Sequence, residues 1–220
     1  MERSHAYESR VTQLEVAVLV QRQALAINGD HTRKALADAL LDLHVVSQEL
    51  PILDEAIDIY ERLLEGFIGN DQSAQDSRAA SLYDLGRSLT KRFLVRQTSV
   101  SEMDRCVSLL RLSLDLRPPG HAARRSSLNI LGEALYSRYD LQGNTSDVED
   151  AVAVHREALQ LHSSEDPLRY EVLLNLGSGL ERTFGSKASW RLWPRQFLFI
   201  AKRWNCVRPD TQSMQQHYQH

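Results

Sequence analysis

The chain has 220 residues, 42% of them apolar and 25% charged, enough to bury a core as one large domain or a short array. A formal net charge of −3 argues against non-specific nucleic-acid binding by the whole chain, and 10 Gly with 6 Pro are few for an all-β protein full of tight turns. Two distant cysteines, Cys106 and Cys206, give neither a disulfide framework nor a Cys-x-x-Cys metal spacing.

The N-terminus, Met1 to Ala6, has no apolar signal core. The longest apolar runs, Val16–Val20 and Phe197–Ala201, are too short to span a bilayer. The expectation is a reducing, cytoplasmic, soluble protein. Residues 1–13 read as an N-terminal extension.

From Leu14 the chain alternates between two segment types. The first, here helix B, opens at Leu14, Leu53, Met103 and Val148. Its template is apolar-x-x-small-apolar, and the pattern returns seven residues later. The second, helix A, opens at Leu82, Leu128 and Leu173, 46 and 45 residues apart, with the template Leu-x-x-Leu-Gly-x-x-Leu and a closing aromatic. Spacings of 3, 4 and 7 put the leucines on one helical face. A degenerate helix A is predicted at about 33–48, with Leu36, Leu40 and Leu43 as its stripe. The order is B, A, B, A, B, A, B, A, with no strand.

Helix starts are predicted at the capping boxes Ser101-x-x-Asp104 and Ser146-x-x-Glu149, at Asp166-Pro167 and at Pro51. Pro118-Pro119-Gly120 ends a helix and turns the chain. Gly86, Gly132 and Gly177 recur at one register of helix A. A helix-interior glycine costs about 1 kcal/mol against alanine, so three at one register predict close approach to a neighbouring helix. The small residues Ala17, Ala56, Cys106 and Ala151 of helix B fit that approach, and Cys106 reads as a buried residue in an alanine slot.

Composition changes near Gly185. Residues 186–220 hold six Lys or Arg, one acid and all three Trp, leaving 20 basic against 28 acidic residues before them. Three readings of this tail stand open. It binds an anionic membrane or an acidic partner. It caps the last helix A through Phe197–Ile200. Or it is the product of a truncated or mis-spliced gene.

The pattern of Leu128, Leu131, Gly132 and Leu135 followed by Ala151, His155, Ala158 and Leu159 resembles the tetratricopeptide repeat, with Pro118 where that family closes a repeat. The period near 45 departs from the usual ~34 through a longer A–B connection such as Asp140–Asp147. It is similar to long-period arrays of the kinesin light chain type, through Gly29-Asp30-His31 and Leu128-Asn129. Closer still are arrays of mushroom-forming fungi, through Arg117–His121 and Ser127–Tyr139. In those fungal arrays the repeats often accompany a CHAT protease domain or a nucleotide-binding signalling module. The resemblance covers residues 14–184. It implies an all-α, right-handed α-solenoid of antiparallel helix pairs and a protein-interaction scaffold, expected to be a piece of a larger signalling protein.

The resemblance also implies a concave groove lined by helices A. Its expected residues are Tyr83, Arg87 and Thr90, then Asn129, Glu133 and Tyr136, then Leu174, Ser178 and Glu181. Asn129 would bond a peptide backbone, with Tyr83 and Tyr136 as flat anchors. The ordinary alternative is that these are solvated residues on the open side of helix A. The expected partner is a protein or peptide, not nucleic acid, with self-association through the unpaired terminal helices. Any membrane contact is confined to the tail, and the second reading of the function is a regulatory array tethered by it.

No cofactor, metal or catalytic residue is predicted. Gly177-Ser178-Gly179 follows no strand and falls inside a helix, so it is not a phosphate loop. His155 occupies the helix-B slot held by Tyr60 and Leu110 and reads as packing. His217 and His220 are too few for a metal site. The acid pairs at 149–150 and 165–166 suit helix starts.

Overall fold

The computed structural model describes residues 2–28, 32–66, 71–96, 99–163, 165–166 and 168–184. Among them are eight helices and no strand: α1 Glu2–Asn28, α2 Arg33–Ser47, α3 Leu50–Glu65, α4 Gln72–Arg96, α5 Val100–Asp115, α6 Arg124–Gln142, α7 Thr145–Leu161 and α8 Arg169–Phe184. The odd-numbered helices are type B and the even-numbered are type A. The basic tail from 185 on, with Cys206 and the tryptophans, lies outside the described residues, as do Gly29-Asp30-His31 and Pro167. No described helix is long and apolar enough to cross a membrane.

The stretch 2–13, expected as a separate extension, is the first half of α1. Nothing from Glu2 to Asn28 breaks a helix, since the first glycine is Gly29. Two helices begin earlier than predicted. Ser99, not Ser101, caps α5, its side chain accepting from the Glu102 N–H at 3.3 Å. Asn144, not Ser146, caps α7, accepting from the Ser146 N–H at 3.3 Å. Each earlier cap satisfies an otherwise orphaned backbone donor one half-turn sooner. Asp166 accepts from the Leu168 N–H at 2.9 Å, but α8 begins at Arg169, two residues after the start expected at Pro167.

Each helix packs on its chain neighbours, and in addition α4 packs on α6 and α6 on α8. The result is a two-layer stack with the core between the layers. Leu36, Leu40 and Leu43 of the degenerate helix A are buried, with Leu53, Ile57, Leu85, Leu89, Met103, Leu110 and Leu135 continuing the same core. Each such side chain contributes roughly 1.5–3 kcal/mol of burial free energy.

Two of the three recurring glycines, Gly86 and Gly132, sit where helix B comes close. A Cβ on Gly86 would lie 2.6 Å from Leu110 Cδ2. One on Gly132 would lie 2.5 Å from His155 Cε1 and 2.7 Å from its Cδ2. Cys106 is buried on the same turn, its thiol donating to the Gly86 carbonyl at 3.2 Å, and burial pushes its pKa up to about 11. It is an inert packing residue.

Gly132→Ala is expected to lower the unfolding free energy by about 1–2 kcal/mol. Alanine gains about 1 kcal/mol of helix propensity, but overpacking against a buried ring that cannot step aside costs roughly 1–3 kcal/mol or more. Urea denaturation checks this, and an unchanged or higher midpoint would mean that the imidazole moves freely.

Candidate functional site

The A layer is the tighter of the two. Helices α4, α6 and α8 touch directly, whereas successive B helices are joined by long side-chain ion pairs. Arg22 of α1 meets Glu55 of α3 at 2.6 Å, Glu61 of α3 meets Arg105 of α5 at 2.7 Å, and Arg111 of α5 meets Asp150 of α7 at 2.5 Å. The shorter spacing puts the A helices on the inside of the curve.

The inner wall is set by register. Lys34, Tyr83, Asn129 and Leu174 occupy one position on α2, α4, α6 and α8, and Asp38, Arg87, Glu133 and Ser178 lie one turn further on. All eight are half-buried or exposed. Tyr83, Arg87, Asn129, Glu133, Leu174 and Ser178 therefore lie at matching positions along one wall.

The third expected turn is different. Thr90 is buried, donating to the Gly86 carbonyl at 2.9 Å with its oxygen 3.2 Å from Cys106 Sγ. Tyr136 is only 7% exposed, stacked on His155 at 5.4 Å between ring centroids, with its phenol oxygen against Gly179 of α8 and the Arg182 guanidinium over its ring at 5.2 Å. Neither stands free in a groove. The expectation of Tyr136 as a flat anchor is corrected, because α7 and α8 close over that turn. The Glu181 side chain lies outside the described residues.

Charge along the wall is arranged in two clusters. At the α2–α4 end, Lys34 Nζ donates to Asp38 at 2.9 Å and to Asp84 at 3.1 Å, and the Tyr60 hydroxyl of α3 donates to Asp38 at 2.6 Å. Burial alone would lower the Lys34 pKa, but the two carboxylates outweigh it and hold it above its ordinary value. Burial raises Asp84, with Lys34 opposing.

Next along the wall, the Tyr83 ring lies between the guanidinium groups of Arg87 at 5.7 Å and Arg117 at 5.1 Å, and burial raises its phenol pKa. At the α6–α8 end, Glu133 accepts from Asn175 Nδ2 at 3.3 Å. Burial, then the carboxylate of Glu171, raise the Glu133 pKa. Between the clusters, the Asn129 side-chain oxygen and Arg87 Nε are buried without a hydrogen-bond partner among the described residues. A buried acceptor and donor without partners are hydrogen-bonding capacity that the described residues leave unused.

Sequence reasoning missed Lys34, Asp38 and Asp84. Their register was readable once Ala37 is set in the glycine slot of the degenerate helix A. It also missed a repeated arginine clamp. Arg92 of α4 bonds Asp54 of α3 at 3.2 Å and Glu102 of α5. At the same register, Arg138 of α6 bonds Asp104 of α5 at 3.1 Å and Asp147 of α7 at 2.6 Å.

A second repeated device ties α6 and α8 each to the end of the preceding helix B. Arg124 donates to the Arg117 carbonyl at 2.7 Å and the Leu114 carbonyl at 3.4 Å. Arg169 likewise donates to the His162 and Leu159 carbonyls, both at 2.9 Å. Arginines there satisfy the orphaned carbonyls of a helix C-terminus. Among the described residues no three His, Cys, Asp or Glu side chains are placed to hold a metal ion.

Residues 124–167, which run from the start of α6 through α7, match the family model of the tetratricopeptide repeat. Two solved structures share the architecture. One is a Podosopora anserina protein of the kinesin light chain kind with nearly identical TPR-like repeats, at 17% identity and a TM-score of 0.52, covering 96% of this chain and 94% of that one. The other is a single-substitution variant of it, again at 17% identity and a TM-score of 0.52, covering 92% and 90%. The likeness is one of fold. No curated protein matches the chain.

Proposed function

We propose that this tetratricopeptide-type α-solenoid is a protein-interaction scaffold that holds an extended peptide segment of its partner along the inner wall. Repeat arrays of this kind generally bind other proteins. The observation that carries the finer reading is the unpartnered Asn129 oxygen, set between the Tyr83–Arg87 and Glu133–Asn175 pairs on successive A helices. A peptide main-chain N–H satisfies that acceptor, the Tyr83 ring supplies a flat contact, and Glu133 with Glu171 favours a cationic ligand side chain at the α8 end.

Selection from a displayed random-peptide library tests this. The expected result is enrichment of peptides with a Lys or Arg at a fixed position. Their binding should fall at least about tenfold, roughly the worth of one buried hydrogen bond, on Asn129→Ala. The Lys or Arg preference should fade on Glu133→Gln. No enrichment, or equal binding by both variants, would sink the groove reading.

A further inference from the structure

Helix α1 buries an apolar seam as the other helices do, but it carries its charges beside that seam and not on the face opposite. At 100° per residue, Glu8, Arg10, Glu15 and Arg22 all lie on the half of the helix nearer the array, flanking the seam of Val11, Leu14, Val18 and Leu25. Between residues 7 and 27 the opposite face carries Ser9, Gln13, Val16, Val20, Gln23 and Ile27, every one exposed and none charged. Val16 is 55% exposed, Val20 52% and Ile27 82%. A solvent face should be the polar one.

The other B helices show that this is particular to α1. The register of Val16 is held by Glu55 in α3, Arg105 in α5 and Asp150 in α7, and each of those forms an ion pair with the preceding B helix. In α1 the charged rung is replaced by a valine. The six exposed positions are spaced 4, 3, 4, 3, 4, the seam of a helix-on-helix pairing. The central four are also palindromic in character about residue 18. Laid antiparallel on its own copy, Val16 faces Val20 and Gln13 faces Gln23, so in the central four positions valines meet valines and amides meet amides, while Ser9 faces Ile27 at the ends.

We propose that this face binds the same face of a second copy, forming a twofold-symmetric antiparallel α1–α1 pair. An isologous interface must be self-complementary, and an uncharged seam with that order is. Head-to-tail stacking fits less well. The ion-pair ladder ends at α7 on Arg156, exposed and without an ion-pair partner among the described residues, and a following copy would offer it Val16 instead of an acid. The seam spans about 27 Å. A pair of that length buries on the order of 1,000 Å² in all, the lower edge of a specific interface, so a weak, concentration-dependent dimer is expected. The pairing is independent of the groove.

Sedimentation equilibrium of the full chain at up to about 200 µM tests it. The wild type should pass from monomer to dimer and no further. Val16→Glu restores the acid found at the same register in α3 and α7, at an exposed site that leaves the fold intact. It should raise the Kd at least about 100-fold, with far-UV circular dichroism and peptide binding unchanged. The double variant Gln13→Glu with Gln23→Lys sets opposite charges across an antiparallel pair and like charges across a parallel one, so it should tighten the dimer. A wild type that stays monomeric, a Val16→Glu dimer as strong as the wild type, growth beyond dimers, or weakening by the charge pair would each overturn the proposal.

Discussion

Arg138→Met is expected to lower the unfolding free energy by about 3 kcal/mol, the ordinary cost of stranding one partner of a buried ion pair. The Arg138 guanidinium grips Asp147 with two hydrogen bonds, at 3.0 and 2.6 Å, and reaches Asp104 with a third at 3.1 Å. The Asp147 side chain is only 2% exposed, so water cannot replace the lost partner. The position of Asp147 in the first turn of α7 offsets part of this, by at most about 1 kcal/mol from the helix dipole. Methionine keeps most of the stem's packing, so the loss reads the charge rather than a cavity.

The control is Arg111→Met. Its pair with Asp150 is about half exposed on both sides and should cost less than about 1 kcal/mol. Arg138→Met combined with Asp147→Asn should recover at least about 1 kcal/mol relative to the summed single variants, because the stranded charge is gone. Equal midpoints for the Arg138 and Arg111 variants in urea would refute the clamp. Because Arg138 ties α5, α6 and α7 together, native-state hydrogen exchange should quicken first at the α6–α7 pair.

Why these clamps escaped the sequence is physical. An arginine ten residues after the first leucine of helix A looks like a solvated side chain at a helix end, and its partners are supplied by two other helices. Periodicity reads one helix against one core, and for that task it suffices. The stripe Leu36, Leu40 and Leu43 is buried as predicted, even in the most degenerate helix A. Gly86 and Gly132 stand at the close approaches that their repetition implied, because a residue penalised in helices recurs only where its missing Cβ is needed.

The exposed wall of the A helices was half legible for the opposite reason. A helix A in the stack has neighbours on three sides, so its open arc is narrower than that of a helix lying on a single core. The first two turns, at Tyr83, Arg87, Asn129 and Glu133, stay on the open arc. The third turn is covered by the next helix pair, and Thr90 and Tyr136 go with it. Caps slipped by two residues because Ser and Asn candidates crowd both helix starts, and the choice falls to backbone geometry that composition does not encode.

His155 links the packing to pH. Its ring is fully buried, neither nitrogen has a hydrogen-bond partner among the described residues, and burial lowers its pKa to about 4. The unfolded chain holds the same imidazole near 6.5. Between those values the unfolded state binds the proton and the folded state does not, so stability is complete above about pH 6.5 and falls as pH drops toward 4. The total contribution is on the order of 3 kcal/mol. Asp84 and Glu133, whose burial raises their pKa values, act in the other direction, binding protons more readily when folded. The whole-protein profile is therefore a sum, and a variant must isolate the histidine.

His155→Leu does so, because Leu110 already fills the same slot beside Gly86. Near neutral pH the change should be small. It removes two unsatisfied ring nitrogens, a gain of about 1–3 kcal/mol, and loses the stacking on Tyr136, a cost of about 0.5–1.5 kcal/mol. On going from pH 7 to about 4.5, the leucine variant should gain about 2 kcal/mol relative to the wild type, since only the wild type must keep an imidazole from its proton. Urea denaturation of both proteins across that range gives the difference directly. Parallel stability curves would mean that the buried imidazole takes up its proton without opening the fold.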